Sequence, residues 1–262
     1  MAVIATLARC VVVIAVVLAS GSASAGHVEP TVVMTGNSVF TTDEVLGGIE
    51  PYSLVEASGA ISQEAVERHS LLITAFYWDR GYAQVRVSEP KVDPSKHRID
   101  YTITEGPLFK LGTIRVTGTL LRTERNFLAM LASKPGAVFS RSKISGDREK
   151  LNTFYEDRAY AHANVLPLTR VDLATRTINL TFEITQGELS FIEKITVVGN
   201  VKIAEHAIRD QLLFKAAEPF HRTRLDASRR RLLDLGVFQE VWVVTRKGSS
   251  PSLIDIMVEV VE

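Results

Sequence analysis

Hydrophobic positions along the chain change period in a fixed order, and that order recurs three times. TVVMTGN at 31–37 reads as a short β-branched strand ending at glycine, and TIRVTGT at 113–119 and ITVVGN at 195–200 repeat it. Gly36, Gly118 and Gly199 thus return at intervals of about eighty residues. A helix start follows each strand: Thr41 and Glu44 have capping-box spacing, and Thr123 and Ala204 with Glu205 hold the same place in the other copies. A longer helix comes next. Its apolar face runs through Val66, His69, Leu72 or Ile73, and Phe76, then Ile144, Leu151, Phe154 and Tyr155, then Leu225, Leu232 and Leu233.

Gly81 falls where the first of these long helices should end, as a left-handed residue just past the last turn. The chain then alternates as a strand, with Ala83, Val85 and Val87 on one face and Gln84, Arg86 and Ser88 on the other. Ala161, Ala163 and Val165 repeat the first face, with His162 and Asn164 opposite. A last alternating strand closes each copy: RIDYTITEG at 98–106, TINLTFEITQG at 177–187 and LIDIMVEVVE at 253–262. The pattern predicts an α+β protein of three tandem β-α-α-β-β units, at residues 26–106, 107–187 and 188–262.

The most literal repetition is FYWDRGYAQVRV at 76–87, which returns as FYEDRAYAHANV at 154–165 with seven of twelve positions identical. Asp79 and Asp157 gain a third relative in Asp234, within LLDLGVFQEVWV. A catalytic carboxylate needs a second positioned group, and three copies of one active site would be odd, so these aspartates are assigned to the helix end and turn. Ala159 replaces Gly81; if left-handed, it costs on the order of 1 kcal/mol, and otherwise that helix ends differently. FQEVWVVT at 238–245 is apolar on both faces, with Val241 and Val243 on one and Trp242 and Val244 on the other. It is expected either to lie against the preceding unit or to dock another protein.

Charge adds little, because 30 basic residues balance 30 acidic ones and no nucleic-acid partner is implied. Arg229, Arg230 and Arg231 point about 100° apart on a helix and read as a solvated face rather than a patch. The aromatics Phe76, Tyr77, Tyr82, Phe154, Tyr155 and Tyr160 have the spacing of core residues. Six histidines are scattered without paired ligand spacing, and no nucleophile elbow, phosphate loop or dinucleotide fingerprint occurs. No catalytic, cofactor or metal residue is assigned, and the chain is not read as an enzyme. Ahead of the repeats, Arg9 and the apolar run at 10–19 lead into Ala23, Ser24 and Ala25, the form of a secretory signal peptide cleaved between Ala25 and Gly26. Cys10, the single cysteine, lies inside it, so no disulfide is expected in the mature chain.

Three eighty-residue units reading strand, two helices, two strands, with the V-x-G-N lead-in, the DRGY or LGVF turn and the closing E-G, resemble the polypeptide-transport-associated (POTRA) domains of the BamA family of outer-membrane protein assembly factors. The resemblance runs from Thr31 to Glu262. It implies that each unit is a mixed three-stranded sheet under two helices, with the last strand central and the first two at the edges. It further implies a periplasmic array that receives unfolded outer-membrane proteins or docks assembly-machine lipoproteins by edge-strand pairing. The expected edges are 82–89, 161–166 and 239–245, with Gln84, Arg86, Ser88, His162, Asn164, Gln239, Trp242 and Val244 facing the partner and with Pro90 and Pro167 ending two of them. In that family a membrane β-barrel follows the array, at the place where this sequence reaches Glu262. The chain therefore reads as the soluble arm of a BamA-like factor or, alternatively, as a free-standing or N-terminally anchored cell-envelope scaffold or division protein.

Overall fold

The computed structural model describes residues 28–262, so the predicted signal segment and its cleavage site at Ala25 and Gly26 lie outside the described residues. The described chain forms two compact units. One comprises residues 28–77 with Gln84–Gly106; the other comprises Trp78–Ala83 with Pro107–Glu262.

The first unit runs β1 (Thr31–Thr35), α1 (Thr42–Gly47), α2 (Gln63–Trp78), β2 (Arg86–Val87), β3 (Lys91–Asp93) and β4 (Arg98–Thr104). The capping box at Thr41 and Glu44 forms as expected: Thr41 Oγ1 accepts from the Glu44 amide, and Glu44 returns an acceptor to the Thr41 amide at 2.7 Å. Strand β4 is central, parallel to β1 and antiparallel to β2 and β3. Its strict alternation buries Ile99, Tyr101 and Ile103 against Val66, His69, Ile73, Phe76 and Tyr77 of α2, so Ile73 rather than Leu72 completes the helix face.

The second unit contains two further copies. They are β5 (Lys110–Gly118), α3 (Glu124–Met130), α4 (Arg141–Glu156), β6 (Asn164–Asp172) and β7 (Thr177–Thr185), then β8 (Phe191–Val198), α5 (Glu205–Arg209), α6 (Arg222–Asp234), β9 (Glu240–Lys247) and β10 (Leu253–Val261). The sheet orders are β5-β7-β6 and β8-β10-β9, with the closing strand again central, parallel to the first and antiparallel to the middle strand. Each repeat is therefore a mixed sheet with three strand positions and two helices. The lead-in glycine is fixed by close approach: a Cβ at Gly36, Gly118 or Gly199 would collide with the carbonyl oxygen of Ile103, Ile184 or Val260, and all three have positive φ.

Polar groups in these cores have defined partners. His69 is buried with Nδ1 2.9 Å from the Tyr101 hydroxyl, and burial holds its imidazole down at about 4. The closing glutamates tie each end of their repeat together. Glu105 accepts from Ser38, the Val39 amide and Tyr77, and Glu262 accepts from the amides of Val201, Lys202 and Ile203. Burial pushes the Glu105 carboxyl up, but its hydrogen bonds together outweigh that and hold it below the usual range.

Candidate functional site

The middle strand of each repeat, β2, β6 or β9, pairs with the central strand on one side and with no strand on the other among the described residues. The opposite edges in the second unit are partly covered, since Lys110 of β5 bridges Val138 and Phe191 of β8 bridges Pro219. The middle-strand edges are therefore the freer ones. They differ in length: β2 has two residues, while β6 has nine and β9 eight.

The direction of each backbone group follows from antiparallel alternation. In the first unit the Ser88 amide donates to the Thr102 carbonyl at 2.9 Å, so Arg86 and Ser88 face β4 and Val87 turns its amide and carbonyl outward. In β9 the Val241 carbonyl accepts from Arg229 Nε of α6 at 2.7 Å, which identifies Val241, Val243 and Thr245 as the outward set. Arg229 thus occupies one edge acceptor, and the outward groups of Val243 and Thr245 follow it. In β6 the repeat alignment makes Val165, Pro167, Thr169 and Val171 the outward positions. Pro167 pairs opposite Phe182 without interrupting the strand, which runs on to Asp172. This corrects the expectation that Pro167 ends the edge: on an outward position the missing amide costs no ladder bond. Pro90 does coincide with a break, between β2 and β3.

Side chains on the expected edges are placed as the alternation indicates. Gln84, Arg86, Ser88, His162, Asn164, Gln239, Trp242 and Val244 are all exposed. Because side-chain and backbone directions are coupled along a strand, Arg86, Ser88, Trp242 and Val244 present side chains on the outer sheet face while their backbones bond inward. The groups able to pair with an added strand belong instead to Val87, Thr169, Val171, Val243 and Thr245. Around them lies apolar surface. Trp242 and Val244 are each 40% exposed, so β9 is not packed away on that face, and Leu166 and Leu168 of β6 are 48% and 45% exposed. In the first unit a cleft of about 410 Å³ runs between α2 and the edge, lined by Glu67, Ser70, Leu71, Val87, Ser88 and Pro90.

The repeated aspartates lie elsewhere. Asp79 Oδ1 accepts from the Ser142 amide at 2.7 Å and the Ser140 hydroxyl at 3.1 Å, at the start of α4. Asp157 does the same for α6, accepting from the Thr223 amide at 2.8 Å and hydroxyl at 2.6 Å, with His221 Nδ1 3.0 Å away. Each carboxylate sits at the positive end of a helix dipole. The turn carbonyls join in: Gly81 accepts from the Phe109 amide at 2.8 Å, and Ala159 from the Ser190 amide at 2.6 Å. Ala159 is indeed left-handed, with φ 68°. The aspartates are therefore caps for the next long helix, a role whose only sequence signal is the Ser or Thr at the start of that helix. Among the described residues no group of three His, Cys, Asp or Glu is arranged to hold a metal, and no helix is long and apolar enough to cross a membrane.

Comparison with known proteins agrees with this architecture. The POTRA family model, described as surface antigen variable number repeat, matches residues 31–106, 109–187 and 190–262. The chain is 27% identical over 217 residues to the outer membrane protein assembly factor BamA of Nitratidesulfovibrio vulgaris, covering 80% of this chain and 27% of that protein. It is 22% identical over 240 residues to BamA of Neisseria meningitidis, covering 87% of this chain and 30% of that protein. It thus spans less than a third of either relative. The crystal structure of Haemophilus influenzae BamA POTRA3-5 superposes with a TM-score of 0.75 at 19% identity, covering 88% of this chain and 94% of that one. With all three repeats matched and the same sheet order in each, the chain belongs to the POTRA family, as an array of three such domains homologous to the corresponding region of BamA.

Proposed function

We propose that the array is a periplasmic binding arm in outer-membrane protein assembly, to which unfolded outer-membrane proteins or assembly-machine lipoproteins add an extended segment as an extra strand. The observation that carries this reading is the pairing of outward backbone groups on β6 and β9 with apolar side chains on the adjoining sheet face. A client strand would gain main-chain hydrogen bonds, which are tolerant of sequence, and would bury alternate side chains beside Leu166, Leu168, Trp242 and Val244. The homology to BamA supports the assembly setting, and the predicted signal cleaved after Ala25 would deliver the chain to the periplasm. Edge pairing makes a discriminating test possible. Val243→Pro removes an outward amide while leaving the ladder to β10 intact, so it should abolish capture of an unfolded outer-membrane protein by a photocrosslinker at Trp242 without unfolding the chain. Crosslinkers at Gln84 and His162 report the other two edges. Undiminished capture by the proline variant, or no client or assembly subunit captured at any of the three positions, would sink the idea.

A further inference from the structure

One position on the long helix of each repeat corresponds to the free edge of that repeat's own sheet. Counted from Ser62, Ser140 and His221, the residues just before α2, α4 and α6, the buried positions coincide: Val66, Ile144 and Leu225 come four places on, and Ile73, Leu151 and Leu232 eleven. Ser70, Arg148 and Arg229 stand eight places on. On the sheet, Val87, Val165 and Val241 share a register position, opposite Ile103, Ile184 and Val260.

The three copies use this helix position differently. Ser70 turns its hydroxyl back to the Val66 carbonyl at 3.2 Å and lines the cleft beside Val87. Arg148 is exposed and donates to no carbonyl of β6 among the described residues. Arg229 reaches the edge itself, its Nε donating to the Val241 carbonyl at 2.7 Å. The Gly248 amide donates to the Leu253 carbonyl at 3.0 Å, which fixes the parity of β9 independently: Trp242, Val244 and Arg246 bond toward β10, and Val241, Val243, Thr245 and Lys247 face outward. Of these outward carbonyls only that of Val241 accepts from a side chain, among the described residues. A hydrogen bond from a charged guanidinium is stronger than one from a neutral amide. A strand pairing at Val241 would exchange the first for the second, whereas at Val243 it displaces nothing.

We infer that Arg229 is a specificity-determining residue of the β9 edge: it closes Val241 to an added strand and fixes the end of pairing at Val243. The inference rests on the edge-pairing reading above and gives it a register. An extended segment pairs along residues 243–247, and a slip toward Glu240 is opposed. Because a slip of one residue turns every side chain to the opposite face, the stop also decides which side chains of the segment lie beside Val244. The first repeat, with Ser70 in this place, has no such stop, and its edge is limited by the two-residue length of β2.

The test uses the full chain with Cys10, its single cysteine, replaced by serine. A new cysteine is placed at Glu240 or at Val244. Both are exposed positions whose backbones bond toward β10, so each meets an added strand in a non-hydrogen-bonded pair, where side chains lie closest. The probe is a short blocked peptide alternating threonine and valine, with serine ends and one central cysteine, trapped as a mixed disulfide under mild oxidation. Trapping at Glu240→Cys relative to Val244→Cys is expected to rise roughly tenfold when Arg229→Ala is added. Arg229 is exposed and its replacement should leave the melting temperature close to that of the parent, so the ratio reads register rather than unfolding. An unchanged ratio, with trapping at Val244→Cys intact, would overturn the role of Arg229 and leave edge pairing standing. No trapping at either cysteine, with or without Arg229, would overturn edge pairing on β9 and this inference with it.

Discussion

Removing the Asp157 carboxylate should destabilise the second compact unit more than removing its counterpart Asp79, although the two sit in equivalent turns. The difference lies in the helices they cap. Ser140 is the N-cap of α4 and accepts from the Lys143 amide at 3.3 Å, so Asp79 adds to a cap already present. The N-cap of α6 is His221, which makes no side-chain cap bond, so Asp157 supplies the cap alone. Losing a sole N-cap costs about 1 kcal/mol, and losing the charge at the helix start costs about 0.5 kcal/mol more. The charge-assisted bond from the Thr223 hydroxyl adds a similar amount, giving Asp157→Ala a total of roughly 2 kcal/mol against about 1 kcal/mol for Asp79→Ala. Both tryptophans, Trp78 and Trp242, belong to the second unit, so urea unfolding followed by tryptophan fluorescence reads that unit selectively. A loss of ~2 kcal/mol lowers the melting temperature of a unit this size by roughly 4–8 °C. Asp157→Asn, which keeps an acceptor and loses the charge, should fall between wild type and alanine. Equal stability of the two alanine variants, or Thr223 amide protection that survives Asp157→Ala, would refute the capping role of Asp157.

Two further perturbations test the turn and the core. Gly81→Ala places a side chain at φ 93° and drives its Cβ toward Leu108, Val138 and the Phe109 carbonyl; strain of ~1–2 kcal/mol and crowding of similar size, less the entropy gain of alanine, leave a loss of about 2–3 kcal/mol by urea titration. Ala159→Gly relieves the same strain but gives up a buried methyl and adds unfolded-state entropy, so its stability should lie within about 1 kcal/mol of wild type. For His69 the folded imidazole titrates near 4 against an ordinary 6.5, so between those values the unfolded chain takes up a proton that the folded chain refuses. Its stabilising effect is complete above pH 6.5 and is lost as pH falls toward 4, by roughly 3 kcal/mol. His69→Gln should flatten the pH dependence of first-unit stability across that window, measured by hydrogen exchange of α2; an unchanged slope would show that His69 does not set it.

Period and punctuation were enough to read the three repeats, because each element carries its own local signal: alternation in β4, β7 and β10, the Thr41 cap, and glycines excluded from bearing a Cβ. What could not be read depends on contacts distant in sequence. Nothing local places Trp78–Ala83 in the compact unit of the following repeats, since that assignment comes from the Phe109 and Ser142 amides far along the chain. The run of three arginines reads as a solvated face, and only the spatial approach of α6 to β9 turns Arg229 toward the Val241 carbonyl. Pro167 shows a different limit. Its effect on an edge depends on whether its nitrogen faces the partner strand, and that parity is fixed by register rather than by residue type.

The distribution of the repeated residues carries a consequence for where binding is sought. Positions whose side chains meet a fixed donor or acceptor recur nearly unchanged: Asp79 and Asp157 accept from the start of the next long helix, and the Tyr77 and Tyr155 hydroxyls donate within their own repeats, to Glu105 and to the Thr119 carbonyl. Positions that border the free edges do not recur: Ser88, Leu166 and Trp242, which stand at one register position, differ in size and polarity. The proposed main-chain pairing would let them differ, since the amides and carbonyls offered by β6 and β9 are the same whatever side chains flank them. Internal repetition in this chain therefore marks joints and cores. Under the proposed edge pairing, divergence between copies would mark the surfaces on which each repeat takes its own partner, the apolar Trp242 and Val244 in the third against the polar Gln84 and Arg86 in the first.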